Sequence, residues 1–202
     1  MITLLAALEA HFDDAEGGIR IVNAEWCEDD LELMLSITYH DDREAELWSI
    51  SCHDVVEESL CSEWATGLEV SAHSPLLKPF LEAEVPLMFS RNEMVPEALF
   101  GIVCSCCIEV VGRMECLARF INGEAVAHGI CGSPYGLLGR FPASLASHIL
   151  AALQDKPIQV NALAGLMPKR WNGSEHVPYS HLQALEIGQS YVIAERFNAR
   201  RR

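Results

Sequence analysis

The chain has 202 residues, half of them hydrophobic and 21% charged, a composition that supplies a real core and argues against disorder. Its net charge is −15, and the acid is uneven: residues 1–100 hold 22 acidic and 4 basic side chains, whereas residues 101–202 hold 7 and 10. Neutralising phosphates needs clustered Lys and Arg, so direct nucleic-acid binding is disfavoured, and the one such cluster, Arg200-Arg201-Arg202, reads as a frayed, solvated tail.

The opening MITLLAALEAHFDD lacks the basic lead-in of a secretory signal and reads as a first helix. Gly18 to Trp26 reads as extended. Leu31, Leu33, Leu35, Ile37 and Tyr39 then alternate with Glu32, Ser36, Thr38 and His40, with Met34 the one apolar residue on the polar side, which predicts a strand with one buried face. The acidic link Cys27-Glu28-Asp29-Asp30 joins these two as a hairpin, and His40-Asp41-Asp42-Arg43 turns the chain into a third strand with Trp48, Ile50 and Cys52 on one face. The three make an antiparallel meander.

Further strands are predicted at 67–72 and 85–90, separated by the breakers Pro75 and Pro79. Asn92 or Arg91 is the expected cap of a helix with Pro96 in its first turn, on which Leu99, Ile102, Val103, Cys106, Cys107 and Val110 recur at helical spacing. Phe100, Cys104 and Val111 make its other side apolar too, so it should be deeply buried. Its apolar stretch, 98–112, is the longest in the chain, yet it falls short of the roughly 18–20 residues of a membrane span and is interrupted by Ser105 and Glu109. Residues 116–121 read as a strand and Gly129 to Gly136 as a flexible connection. A second helix is predicted from Phe141-Pro142, with Leu145, Ile149 and Leu153 on one face, followed by an extended 158–162. Prolines, Gly173 and many polar residues make 167–179 a long loop, and 190–197 alternates as a closing strand. The sum is one α+β domain over 1–202: a meander in the first half packed against a buried central helix, then a second helix and a closing C-terminal strand.

Neither a Gly-x-Gly-x-x-Gly nor a Gly-x-x-x-x-Gly-Lys-Ser/Thr motif occurs, which removes the main support for dinucleotide and P-loop sites, and no cofactor is expected. Cys104-Ser105-Cys106-Cys107 offers soft ligands but lacks the second pair and the adjacent His of a structural zinc site. Like most of the eight cysteines, these read as buried free thiols in a reducing, cytoplasmic compartment. Cys52-His53-Asp54 invites a Cys-His catalytic reading, but neighbours on a strand point to opposite faces, so Cys52 should not bond His53. Trp171, His176, Tyr179 and His181, in or beside the long loop, are the candidate ligand-binding set, with His176 and His181 also the candidate metal pair. Glu28, Asp29, Asp30, Asp41 and Asp42 form the candidate partner-binding set. Glu28-Asp29-Asp30, like Glu57-Glu58, lacks the spaced oxygen pattern of an EF-hand, and the plainer explanation of the acid is a solvated surface.

Trp48-Ser49-Ile50-Ser51-Cys52, His73-Ser74-Pro75-Leu76-Leu77 and the closing Gly188 to Phe197 resemble segments of a family of small bacterial proteins whose function is unassigned. The chain departs from that pattern at Ser74, where Pro would directly follow His. The resemblance implies a bacterial, single-domain protein and brings no activity or site residue with it.

The functional expectation is a non-enzymatic protein-binding domain whose acidic face meets a basic protein partner, immunity- or inhibitor-like roles being its natural form. An enzyme or small-molecule binder with a pocket near 167–181 is the alternative, and metal binding through the thiols or histidines is a third.

Overall fold

In a computed structural model of the chain, residues 1–11, 18–39, 44–112, 120–121 and 132–202 are described. They fall into two compact units: residues 1–77 with 180–202, and residues 78–179. The fold class is α+β, with antiparallel sheets and a C-terminal strand, as expected.

The first unit is a barrel of six strand positions. β1 (Gly18–Cys27), β2 (Asp30–Thr38) and β3 (Glu46–His53) form the expected meander, and β13 (Arg196–Arg201) pairs with β3. A second set places β4 (Glu57–Ser59), β12 (Ser190–Ala194), β11 (Gln183–Ile187) and β5 (Leu68–Ser71) side by side. The two sets are one ladder. His53 faces Arg196 and Glu57 faces Ile193, while Glu195 N–H donates to His53 O (3.1 Å) and Val56 N–H to Ile193 O (2.8 Å) across the break. Residues 54–56 thus hold one residue more than the strand opposite, a bulge with Asp54 at φ 55°, which bends the strand from β3 into β4. The ring closes where Ile19 and Ala65 exchange two backbone hydrogen bonds of 2.8 Å.

The period-two pattern explains what fills this ring. Leu31, Leu33, Leu35 and Ile37 of β2 point inward with Trp48, Ile50 and Cys52 of β3, and Leu185, Val192 and Phe197 complete the same cluster. Leu4 and Leu8 of α1 (Ile2–His11), one helical turn apart, join it.

In the second unit, β6 (Glu84–Ser90) lies between β7 (Tyr135–Pro142) and β8 (Gln159–Ala162). α3 (Pro96–Val111) starts with Pro96 in its first turn and ends at Gly112, whose φ of 80° suits a left-handed C-cap. Its N-cap is Val95 and not Asn92 or Arg91; Asn92 Oδ1 instead accepts from Met94 N–H in the preceding turn. α3 packs on α4 (Ala143–Leu153), which lies against the sheet through Leu145, Ile149 and Leu153. α2 (Lys78–Leu81) contributes buried Phe80. Pro142 cannot cap α4 with its side chain, and Glu82 does so from a distance, accepting from Ser144 N–H (2.7 Å) and Ser144 Oγ (2.9 Å).

The loop expected at 167–179 contains a hairpin, β9 (Lys169–Trp171) and β10 (His176–Pro178). Asn172 Oδ1 ties its turn by accepting from Ser174 and Glu175 N–H (3.0 and 2.8 Å). Of the predicted strand at 116–121, only 120 and 121 are described, and Ile121 makes a bridge to Gly139. No described helix is long and apolar enough to cross a membrane.

Candidate functional site

The acid belongs to the barrel. Residues 1–77 and 180–202 carry 20 acidic and 6 basic side chains, a balance of −14, against 9 and 8 in residues 78–179. Part of it is neutralised within the unit by the tail expected to be frayed. Arg200 and Arg201 instead belong to β13, whose pairing with β3 fixes their direction. Arg200 and Arg202 reach Glu32 (3.2 and 2.6 Å), and Arg201 reaches Glu46 (2.7 Å). Glu32 also accepts from Ser49 Oγ, and that bond with those of the arginines holds its carboxyl below the usual range.

Among the five residues of the candidate partner-binding set, three are described. Asp30 is already engaged: His53 Nδ1 lies 2.8 Å from its Oδ2 and Asp54 N–H donates to its Oδ1 (3.1 Å), which together hold its carboxyl below the ordinary range. A carboxylate only accepts, so His53 donates from Nδ1, and its Nε2 lies 3.2 Å from Asn198 Nδ2. Glu28 and Asp29 form the two-residue turn of the β1–β2 hairpin and make no ion pair among the described residues. Glu28 is held at φ 57°, a conformation that costs a non-glycine residue about 1–2 kcal/mol. Asp41 and Asp42 lie outside the described residues.

The sequence reading missed the residue beside that turn. After the register shift between Ile21 and Asn23, Trp26 pairs with Leu31, whose side chain is buried, yet Trp26 itself is 50% exposed. Glu25 precedes it and Cys27 follows, both exposed. The hairpin end therefore presents a large indole next to the turn residues Glu28 and Asp29, with Glu25 on the other face of β1, an arrangement suited to anchoring and steering a protein surface. A Trp within an acidic hairpin link is the signal that would have found it.

The ligand-binding set is divided. His181 belongs to the barrel unit, exposed at φ 60°. Trp171 and His176 face each other across β9 and β10, ring centroids 5.2 Å apart, on an exposed hairpin. Tyr179 lies edge-on to Phe80 (5.3 Å) in the wall of a cavity of about 300 Å³ that neither histidine lines. Phe120 and Leu166 add apolar wall, and Arg140 and Lys169 add charge. Nothing in the local sequence singled out these two cations, which the fold gathers from β7 and β9.

Cys52 is buried among the barrel residues, and burial pushes its thiol up to about 12, the Asp30 charge adding to the effect. His53, on the opposite face, bonds Asp30, as the alternation requires. Cys106 and Cys107 are buried in α3 and Cys104 half-buried; burial raises the Cys104 and Cys106 thiols. No group of three or more His, Cys, Asp or Glu among the described residues is placed to hold a metal ion. No protein-family model, curated protein or solved structure matches this chain.

Proposed function

We propose that the barrel unit is a non-enzymatic, cytoplasmic protein-binding module that presents the β1–β2 end to a basic protein partner, in an immunity- or inhibitor-type role. The observation that carries this reading is the half-exposed Trp26 beside Glu28 and Asp29, which make no ion pair among the described residues, on a unit with a balance of −14. Exposed indoles dominate interface energies, and a strong field of one sign raises the encounter rate with an oppositely charged surface. Asp30 serves a hydrogen bond to His53, and Glu32 and Glu46 serve the barrel's own ion pairs, so all three lie outside the proposed contact.

Affinity capture from a lysate of the native host, at low and at moderate salt, tests it. A basic protein retained at low salt, released as salt rises, and not retained by Glu25→Lys/Glu28→Lys/Asp29→Lys supports the reading. Retention unchanged by that variant refutes the hairpin end as the contact.

A further inference from the structure

We propose that the second unit binds a small organic carboxylate with an apolar body, an aryl or medium-chain alkyl acid, in the cavity walled by Phe80, Tyr179 and Leu166 and flanked by Arg140 and Lys169. The site is independent of the barrel's proposed contact and stands or falls without it.

Its volume, about 300 Å³, lies at the lower end of the range of small-molecule pockets, which favours a compact ligand. Most of the described lining residues are apolar or aromatic, although polar atoms supply more of the open surface, and two of them spend apolar surface on solvent: Leu166 is 77% exposed and Met167 48%. This exposure is fixed by the backbone. Leu166 and Glu84 exchange two hydrogen bonds (2.8 and 3.0 Å), which pin the 166–167 segment to the start of β6 and prevent its side chains from collapsing elsewhere. An apolar ligand body would cover them. The Tyr179 ring, set edge to face on the buried Phe80, is the aromatic surface left partly open to an aryl group.

The charges select the head group. Among the described residues, two cations and one carboxylate, Glu84, line the cavity, a surplus of one positive charge in a chain whose net charge is −15. Lys169 has no carboxylate partner among the described residues, and Arg140 meets Glu84 only at 3.4 Å with both side chains well exposed, a contact that exchanges readily for a better acceptor. A guanidinium fork matches the planar carboxylate, while a single surplus charge among the described lining residues disfavours a doubly charged phosphate.

Titration of the whole chain with octanoate and indole-3-acetate, followed by calorimetry and by saturation-transfer NMR, tests the proposal, with octylamine and tryptamine as the charge-reversed counterparts. The expected result is saturable binding of at least one acid with Kd below about 1 mM, and no saturation by either amine. Arg140→Gln/Lys169→Gln, at exposed positions, should weaken the acid about tenfold, and Leu166→Asp should abolish binding while both variants keep the wild-type circular dichroism. Failure of both acids to saturate, an amine that binds as tightly as its acid, or an unchanged Kd in the double variant would each overturn it.

Discussion

Replacing Gly188 by Ala tests the closure of the barrel at the point where the turn between β11 and β12 meets Ala65. Two separate costs follow from the geometry. Gly188 sits at φ 57°, where an added Cβ costs about 1–2 kcal/mol. That Cβ would also lie 2.9 Å from the buried Cβ of Ala65, an overpacking worth about 1–3 kcal/mol because Ala65 is held by its two bonds to Ile19 and has no rotamer through which to yield. The sum is about 2–5 kcal/mol, read as a lower urea midpoint by far-ultraviolet circular dichroism. Ala65→Gly removes the atom in the way but leaves the backbone strain. In the double-mutant cycle the two substitutions should therefore couple favourably by about 1–3 kcal/mol, and the double variant should retain only the conformational part of the Gly188→Ala penalty. Additivity within about 0.5 kcal/mol would show that the turn and Ala65 are not in contact and would refute the closed ring.

The pH dependence of stability follows from Asp30 and Glu32, whose carboxyls are both held below their ordinary values of 3.8 and 4.5. A depressed folded-state value contributes stability that is fully present above the unfolded value and lost as pH falls through the folded one, so urea midpoints should be level above about pH 5 and fall below about pH 4.5. Asp30→Asn/Glu32→Gln should lower the midpoint at pH 7 and flatten that fall; an acid limb of unchanged slope would contradict the assignment. Cysteine reactivity should follow burial. Raising the Cys52 thiol from 9.0 to about 12 cuts its thiolate fraction about a thousandfold, so brief alkylation at pH 8 with peptide mapping should modify exposed Cys27 well ahead of Cys52, and equal labelling would show the barrel interior to be open. Glu28→Gly should raise stability by about 1 kcal/mol by relieving the left-handed turn residue; a loss would show that the Glu28 side chain holds the turn.

The fold was most legible where one face of an element is buried and its neighbours are close in sequence. The alternation of β2 predicted its strand because Leu31, Leu33, Leu35 and Ile37 all face the barrel interior, and α3 was readable because Pro96, Gly112 and an apolar 3.6-residue period agree. The β9–β10 hairpin escaped because it has no buried face to impose a pattern, although Asn172-Gly173 is a strong turn signal that outweighed the prolines around it. Arg200 to Arg202 looked like a loose basic tail, since nothing nearby in sequence shows that Phe197 and Ala199 pair with Cys52 and Ile50 and carry the arginines onto Glu32 and Glu46. The closing strand was seen as one piece because only the bulge at residues 54–56, on the strand opposite, divides it into β12 and β13. Of the candidate sites, Glu28 and Asp29 were visible as a turn, whereas Arg140, Lys169 and Phe80 converge from three elements with no local spacing to announce them.

The central claim, that the hairpin end is a protein-binding contact, is tested most directly by parallel capture with wild-type protein, Trp26→Ala, and the Glu25, Glu28, Asp29 charge reversal, each checked for the wild-type fold, followed by measurement of the retained protein's affinity. Half of a tryptophan's surface, about 75–125 Å², corresponds at about 25 cal/mol per Å² to about 2–3 kcal/mol, so Trp26→Ala should weaken a partner that covers it by roughly thirtyfold to more than a hundredfold. The expected result is a basic partner that both variants lose, with the wild-type affinity falling as salt rises. A partner that binds all three proteins equally, or whose affinity is indifferent to salt, would contradict it.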